Sequence, residues 1–225
     1  MELRKTPALA LMRGETKECG MMRKKRDIDT IVRELDARQQ IHDVIMRYCR
    51  GNDHRDEALM RSVYHAGATD DHGFFSGSAE EFVAIAVRSG PECINKRHII
   101  CNEYVEFDDH DPNIAYSETV TIGCMTRPSG DSFLVSLSAC RYLDRFECRD
   151  GEWRIAERRL VLDWEAQLPS TGNAGSRLTT GMLRGLVSMS DPSYGLGFRR
   201  WGDGPAPAIS NERTTGAKQP AEKHA

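Results

Sequence analysis

The feature that most constrains the fold is a change of hydrophobic period after Gly90-Pro91. Before it, apolar residues recur at helical spacing. After it they alternate in four runs, His98 to Phe107, Ile114 to Met125, Ser132 to Cys148 and Trp153 to Trp164. A period that shifts from about 3.6 to 2 cannot bury both halves of the chain on one kind of element. The turn-forming sequences DDHDPN, RPSGD and CRDGEW separate the runs and predict tight antiparallel connections. Upstream, Asp29 or Thr30 can cap a helix whose face holds Ile31, Leu35, Ile41, Ile45 and Tyr48, ending near Gly51-Asn52. A second short helix fits Arg55 to Tyr64, with Leu59 and Val63 inward. A third starts at Ser78, where Glu81 completes a capping box before FVAIAV. Three helices followed by an antiparallel meander predict an α+β domain, in which a strongly bent sheet wraps a helix and encloses a cone-shaped, ligand-sized cavity.

With 225 residues the chain can bury one substantial core, so one domain with appendages is expected. Residues 1–28 mix Lys and Arg with Met and Gly without a period and read as a mobile arm. The domain spans 29–168. Residues 169–201, rich in Gly, Ser, Pro and Arg, read as an extension that covers the pocket or a neighbouring subunit, and 202–225 read as a disordered tail. A net charge of -3 and a pI near 6.2 give no general attraction for nucleic acid or anionic membranes, which leaves small molecules and protein partners. The 7 cysteines are odd in number and contain no C-x-x-C pair, which predicts free thiols in a reducing cytoplasm. There is no signal-peptide pattern and no membrane-spanning run. Neither a Walker A sequence nor a dinucleotide fingerprint is present, and the GLG at Gly195 to Gly197 is too short and too late in the chain, so no cofactor is expected.

The chemistry concentrates between Tyr48 and Gly77. Asp53 stands just behind the first helix and His98 opens the first alternating run; brought together in an apolar cavity they form a proton-transfer pair. Each also has a plainer reading: Asp53 as the cap of the helix near Arg55, His98 as a structural hydrogen-bonding residue. Arg158 shares its alternation with Ala156, Leu160, Leu162 and Trp164, the face expected to line the cavity, where its charge requires a partner. It could equally belong to a solvated edge with Glu157 and Arg159. Tyr48, by its spacing from Asp53, is either a hydroxyl donor in the pocket or part of the core. Asp70-Asp71-His72 carries metal-ligand types, but consecutive residues on one short loop converge poorly on an ion, so no metal is expected. Cys101 and Cys140 have no base beside them in the sequence pattern and read as inert thiols.

The order helix, Asp53, YH-x-x-A-x-DDHG, F-x-G, H-x-x-x-N from His98, and RYLDRFECRDGEWRIAERRLVLDW resembles the SnoaL-like branch of the nuclear transport factor 2 superfamily over roughly Asp29 to Trp164. SDPSY at Ser190 to Tyr194 resembles that branch as well. Members include scytalone dehydratase, the bile acid 7α-dehydratase and the hexachlorocyclohexane dehydrochlorinase, all cofactor-free lyases. The resemblance implies the cone-shaped α+β barrel, with N-terminal helices packed in a curved, mostly antiparallel sheet. It implies that His98 is the base, that Asp53 orients it and that Arg158 assists. It further implies that Asp71 or His72, in the DDHG segment close to the family's pocket, contacts substrate, beside Tyr48 and Trp164 expected there from spacing and alternation, and that the chain is a homo-oligomer, with a trimer preferred over a dimer. The activity implied is cofactor-independent elimination of water or another small group, including formaldehyde by carbon–carbon cleavage, from a hydrophobic hydroxylated aromatic or alicyclic molecule. The same superfamily holds isomerases that work through an enol, non-catalytic ligand-binding modules and dioxygenase β subunits, so the fold alone leaves those functions open.

Overall fold

Helix α1 (Ile28–His54) begins at Asp27, whose carboxylate accepts from the Thr30 amide at 2.8 Å and the Thr30 hydroxyl at 2.7 Å. The cap is therefore Asp27, two or three positions ahead of the Asp29 or Thr30 expected from sequence. The computed structural model describes residues 27–88, 90, 92–170 and 182–195. All but the last two positions of the expected N-terminal arm, much of the 169–201 extension and the whole 202–225 tail lie outside the described residues. The chain divides into two compact units, Met1–Asp36 and Ala37–Ala225. In the first, Leu35 is exposed rather than part of a buried stripe.

In the second unit Ala37, Ile41, Val44, Ile45 and Tyr48 form the buried face of α1. The helix stops sharply. Asp56 N–H donates to the Gly51 carbonyl at 2.8 Å and Arg55 N–H to the Asn52 carbonyl at 3.4 Å, with Arg55 in the left-handed region at φ 55. This is a Schellman closure with arginine where glycine is usual, and it fixes Asp53 in the last helical turn. Helix α2 (Glu57–Arg61) follows at once, capped by Asp56, whose side chain accepts from the Leu59 amide at 3.0 Å. Asp56, not Asp53, thus supplies the cap.

Strands β1 (Tyr64–Asp71) and β2 (Ser76–Ser78) come next, before α3 (Ala79–Ala86) with its Ser78–Glu81 capping box. The expectation of three helices before any strand is therefore corrected. YHAGATDD has no clean alternation because β1 pairs in parallel with the last strand, an interaction made only in the folded chain. Strands β3 (Asn95–Phe107), β4 (Ile114–Ser129), β5 (Ser132–Arg149) and β6 (Glu152–Ser170) form the expected meander, and a short helix, α4 (Pro192–Gly195), lies in the segment that follows. The β5–β6 turn holds Asp150 at φ 56 and Gly151 at φ 83, the two-residue hairpin in which both central residues need positive φ.

The six strands make one curved, unclosed sheet in the order β2-β1-β6-β5-β4-β3, with all neighbours antiparallel except β1 and β6. Register shifts on β6 leave Ala156 and Asp163 without a direct partner on β5, and a further shift falls between Ile100 and Glu103 on β3. Each such bulge bends its strand and reverses which side chains face inward. At Ala156 the reversal lets both Ile155 and Arg158 be fully buried. The core is built from the α1 stripe, Met60, Val63, Tyr64, Phe82 and Val83 against Ala115, Tyr142, Phe146, Trp153 and Ile155. No described helix is long and apolar enough to cross a membrane.

Candidate active site

Asp53 ends a helix, where the carbonyl ends of the backbone dipoles disfavour a carboxylate. Two donors from β3 offset that cost. His98 N–H donates to Asp53 Oδ2 at 3.1 Å, and His98 Nδ1 lies 2.6 Å from Oδ1. A carboxylate only accepts, so Nδ1 carries the proton of this contact, and Nε2 lies outside it. Both side chains are mostly enclosed, 12% exposed for His98 and 9% for Asp53. The ring of Tyr48 stands edge-on to His98, with centroids 6.2 Å apart.

Arg158 stands between two carboxylates in a row that crosses the sheet in register: Asp70 on β1, Arg158 on β6, Asp144 on β5, Ser117 on β4 and Val105 on β3. Its guanidinium binds Asp144 in fork geometry, Nε to Oδ1 at 2.7 Å and Nη2 to Oδ2 at 2.7 Å, with both side chains fully buried. The rings of Tyr48 and Tyr142, edge-to-face to each other with centroids 5.5 Å apart, both lie against the guanidinium, each centroid 4.1 Å from its carbon. Burial works against both charges. The mutual attraction outweighs it for Arg158, whose proton is held well above the usual guanidinium range, while burial pushes the Asp144 carboxyl up and Arg158 pulls it back. A solvated salt-bridge edge is therefore excluded for Arg158, but it belongs to Glu157 and Arg159, which pair at 2.7 Å on the outside.

A second Asp–His pair lies beside this row. His72 Nδ1 bonds Asp70 Oδ1, and Tyr64 O–H donates to Asp70 Oδ2 at 2.5 Å. His72 Nε2 faces the Tyr48 hydroxyl at 3.3 Å, and its ring stacks on Phe82 with centroids 4.0 Å apart. Burial pushes the Tyr48 hydroxyl above its ordinary range, with Arg158 opposing. Asp71, its neighbour in sequence, instead accepts from the Gly73 amide at 2.9 Å and shapes the turn. The Asp70 and Asp71 carboxylates thus serve different partners rather than converging on one point.

The structure brings Asp53, His98, Tyr48, His72 and Arg158 into one connected cluster. It does not bring Trp164 there. Past the Asp163 bulge, Trp164 pairs with Ala139 in the row of Ile122 and Ile99, on the opposite sheet face from His98, and is half-exposed. Sequence reasoning missed Asp70 as the partner of His72, and Asp144 as the partner of Arg158. Asp144 was findable, since it alternates with Cys140, Tyr142 and Phe146 and a buried Arg158 demands a carboxylate. Asn52 and Lys96 also went unseen: Lys96 Nζ bonds Asn52 Oδ1, and Asn52 Nδ2 reaches the Tyr48 oxygen at 3.5 Å. Met182–Gly195 docks beside this cluster. Arg97 meets Asp191 at 3.4 Å, Tyr194 O–H donates to Asp56 at 3.4 Å, and the guanidinium of Arg50 covers the Tyr194 ring at 4.6 Å. Among the described residues no group of three or more His, Cys, Asp or Glu side chains is placed to hold a metal ion.

Comparison with family models matches residues 33–159 to the SnoaL-like domain. The chain belongs to that family. Its fold is also similar to solved structures. A type 2 hexachlorocyclohexane dehydrochlorinase, LinA, shares a TM-score of 0.55 at 19% identity, over 68% of this chain and 99% of that one. A provisional scytalone dehydratase from Novosphingobium aromaticivorans gives 0.54 at 12% identity, over 65% and 99%. An NTF2-like protein with a cystatin-like fold from the same species gives 0.50 at 17% identity, over 72% and 99%. No curated protein sequence gives a match. At these identities the likeness to the solved structures is one of fold.

Proposed function

We propose that this SnoaL-like protein is a cofactor-independent lyase acting on a hydrophobic, hydroxylated aromatic or alicyclic small molecule. The observation that carries the reading is the 2.6 Å contact of His98 Nδ1 with Asp53. It leaves Nε2 free to take a proton, while Asp53 holds the tautomer and stabilises the imidazolium that forms. As the proton leaves carbon, its bonding electrons become the new double bond and the neighbouring carbon–oxygen bond breaks, the departing oxygen taking a proton from the Tyr48 hydroxyl to leave as water. A substrate with a hydroxymethyl group next to a carbonyl would instead lose its O–H proton to His98 and release formaldehyde as the carbon–carbon bonding electrons pass into the carbonyl to form an enolate, which takes the proton back from His98. Dehydrochlorination and dehydration, the reactions named for the LinA and scytalone dehydratase structures, are eliminations of this kind.

The leaving-group side falls to Tyr48 and His72, which share a hydrogen bond, with Asp70 behind His72. Arg158 is fully enclosed and engaged by Asp144, so it acts through Tyr48: a cation against the ring face makes negative charge on the phenol oxygen less costly. Asp71 holds the turn that carries His72. The same reading takes the protein as a cytoplasmic homo-oligomer, a trimer in preference to a dimer. The free thiols of the described cysteines suit a reducing compartment.

The test is incubation with a panel of hydroxylated aryl and alicyclic compounds, without added cofactor, followed by mass spectrometry. A product lighter by water or formaldehyde supports the lyase and names its leaving group. A rearranged product of unchanged mass points to an enol isomerase. Binding without any product points to a ligand-binding module or subunit.

A further inference from the structure

Asp53 and His98 meet where two elements end. Asp53 lies in the last turn of α1, which closes through Arg55 in the left-handed region, a conformation that a non-glycine residue keeps only where its surroundings impose it. His98 lies near the start of β3, the edge strand of the sheet, and its N–H donates to Asp53 rather than to a neighbouring strand. The contact between the two residues therefore depends on what ties the end of α1 to the start of β3.

The SDPSY sequence at Ser190 to Tyr194 supplies such a tie. On the α1 side, the Tyr194 ring stands edge-on to His54, the neighbour of Asp53, with centroids 5.5 Å apart, and lies under the Arg50 guanidinium at 4.6 Å. Tyr194 O–H reaches Asp56 at 3.4 Å, and Arg50 Nη2 reaches Ser193 Oγ at 3.4 Å. On the β3 side, the guanidinium of Arg97, the neighbour of His98, donates through Nη1 to the Lys96 carbonyl at 2.7 Å and through Nη2 to Asp191 at 3.4 Å. Asp191 is buried and also accepts from the Leu186 and Ser193 amides, so it closes the segment on itself as well as onto β3. A Cβ on Gly185 would lie 2.6 Å from Arg97 Nη2, so the missing side chain there lets the segment's backbone come close to that guanidinium. The polar contacts at 3.4 Å are long and individually weak, and the ring against Arg50 and His54 and the enclosed Asp191 supply most of the hold.

We propose that Tyr194 and Asp191 are positioning residues, which clamp the last turn of α1 to the start of β3 and so hold Asp53 and His98 in contact. The inference rests on the Asp53–His98 reading above and extends it to a segment outside the pair. When the segment detaches, the last turn of α1 loosens and His98 loses the carboxylate that fixes its tautomer.

The test follows the His98 ring in the full chain, without substrate. Nitrogen-detected magnetic resonance reports which ring nitrogen carries the proton, and the wild-type protein should show it on Nδ1. In Tyr194→Ala, Asp191→Ala and the double variant, the His98 Nδ1 proton and backbone amide should exchange with solvent roughly tenfold faster, while the core amides of β5 and β6 keep their wild-type rates. Tyr194→Phe keeps the ring against His54 and Arg50 and should behave as wild type. His98 protons unchanged in the double variant, although the Leu186 and Ser193 amides have lost protection, would overturn the inference, because the segment then detaches without loosening the pair. Leu186 and Ser193 amides still protected in the double variant would overturn it too, since neither side chain then holds the segment. Faster exchange throughout β5 and β6 would mark a general loss of stability and would equally exclude a positioning role. A wild-type His98 without its proton on Nδ1 is a different result: it removes the Asp53–His98 reading itself, and the clamp falls with it.

Discussion

At the scale of single residues, the most consequential contact outside the Asp53–His98 pair is the ion pair of Arg158 with Asp144. Both side chains are completely buried, so each is tolerable only because the other is present. Asp144→Asn strips the guanidinium of its charge partner and is expected to cost about 3–5 kcal/mol in urea-induced unfolding, whereas a paired apolar replacement, Arg158→Met with Asp144→Leu, recovers most of that loss. An Asp144→Asn protein as stable as wild type would show that the pair does not hold the sheet as described. The residue scale also shows what sequence could and could not reveal. Asp53, His98 and Arg158 were legible because their residue types and order match a family pattern. The partnership of His72 with Asp70 rather than Asp71 was not, because two adjacent carboxylates differ only in which way the strand turns them. Trp164 was misplaced for a related reason. Alternation counted along β6 does not register the bulge at Asp163 that turns the indole to the other face.

Among the elements, the meander and α3 were readable from period and caps, while β1 was hidden because its parallel pairing with β6 leaves no local signature. The segment Met182–Gly195 is a further element whose packing depends on one residue. The Asp191 carboxylate accepts from the Leu186 amide at 2.8 Å and the Ser193 amide at 3.0 Å and pairs with Arg97. Burial opposes its ionisation, but the Leu186 amide, the Ser193 hydroxyl and amide, and the charge of His54 outweigh burial and hold its carboxyl below the ordinary range. A carboxyl depressed on folding stabilises the folded form above its unfolded value, near 4, and that contribution is lost as pH falls through the folded value. Hydrogen exchange at the Leu186 and Ser193 amides should therefore be slow at neutral pH and accelerate only in strong acid. Asp191→Asn should expose both amides at neutral pH. Equal protection in the variant would mean that the segment is held by its apolar contacts, such as buried Val187.

For the molecule as a whole, the open sheet presents an apolar row on the face opposite His98, running Ile99, Ile122, Ala139 and Trp164 across four strands. Ile99 and Trp164 are 53% and 50% exposed, and Leu168 farther along β6 is 49% exposed. Ala139 in the row is buried, and the exposed apolar side chains at its two ends mark a face of the kind that a partner covers. Light scattering should find a homo-oligomer, and Trp164→Glu should shift it towards monomer with the fold retained. An oligomer indifferent to that change would place the interface elsewhere. The inner face carries the central claim, that Asp53 and His98 together perform a cofactor-free elimination. The most direct measurement is kcat/KM for a compound that the wild-type protein converts, repeated with His98→Ala and Asp53→Asn proteins of unchanged circular dichroism. Loss of a positioned general base should cost on the order of 10²–10⁴-fold in His98→Ala, with a clear loss in Asp53→Asn as well. Undiminished turnover by His98→Ala would contradict the account.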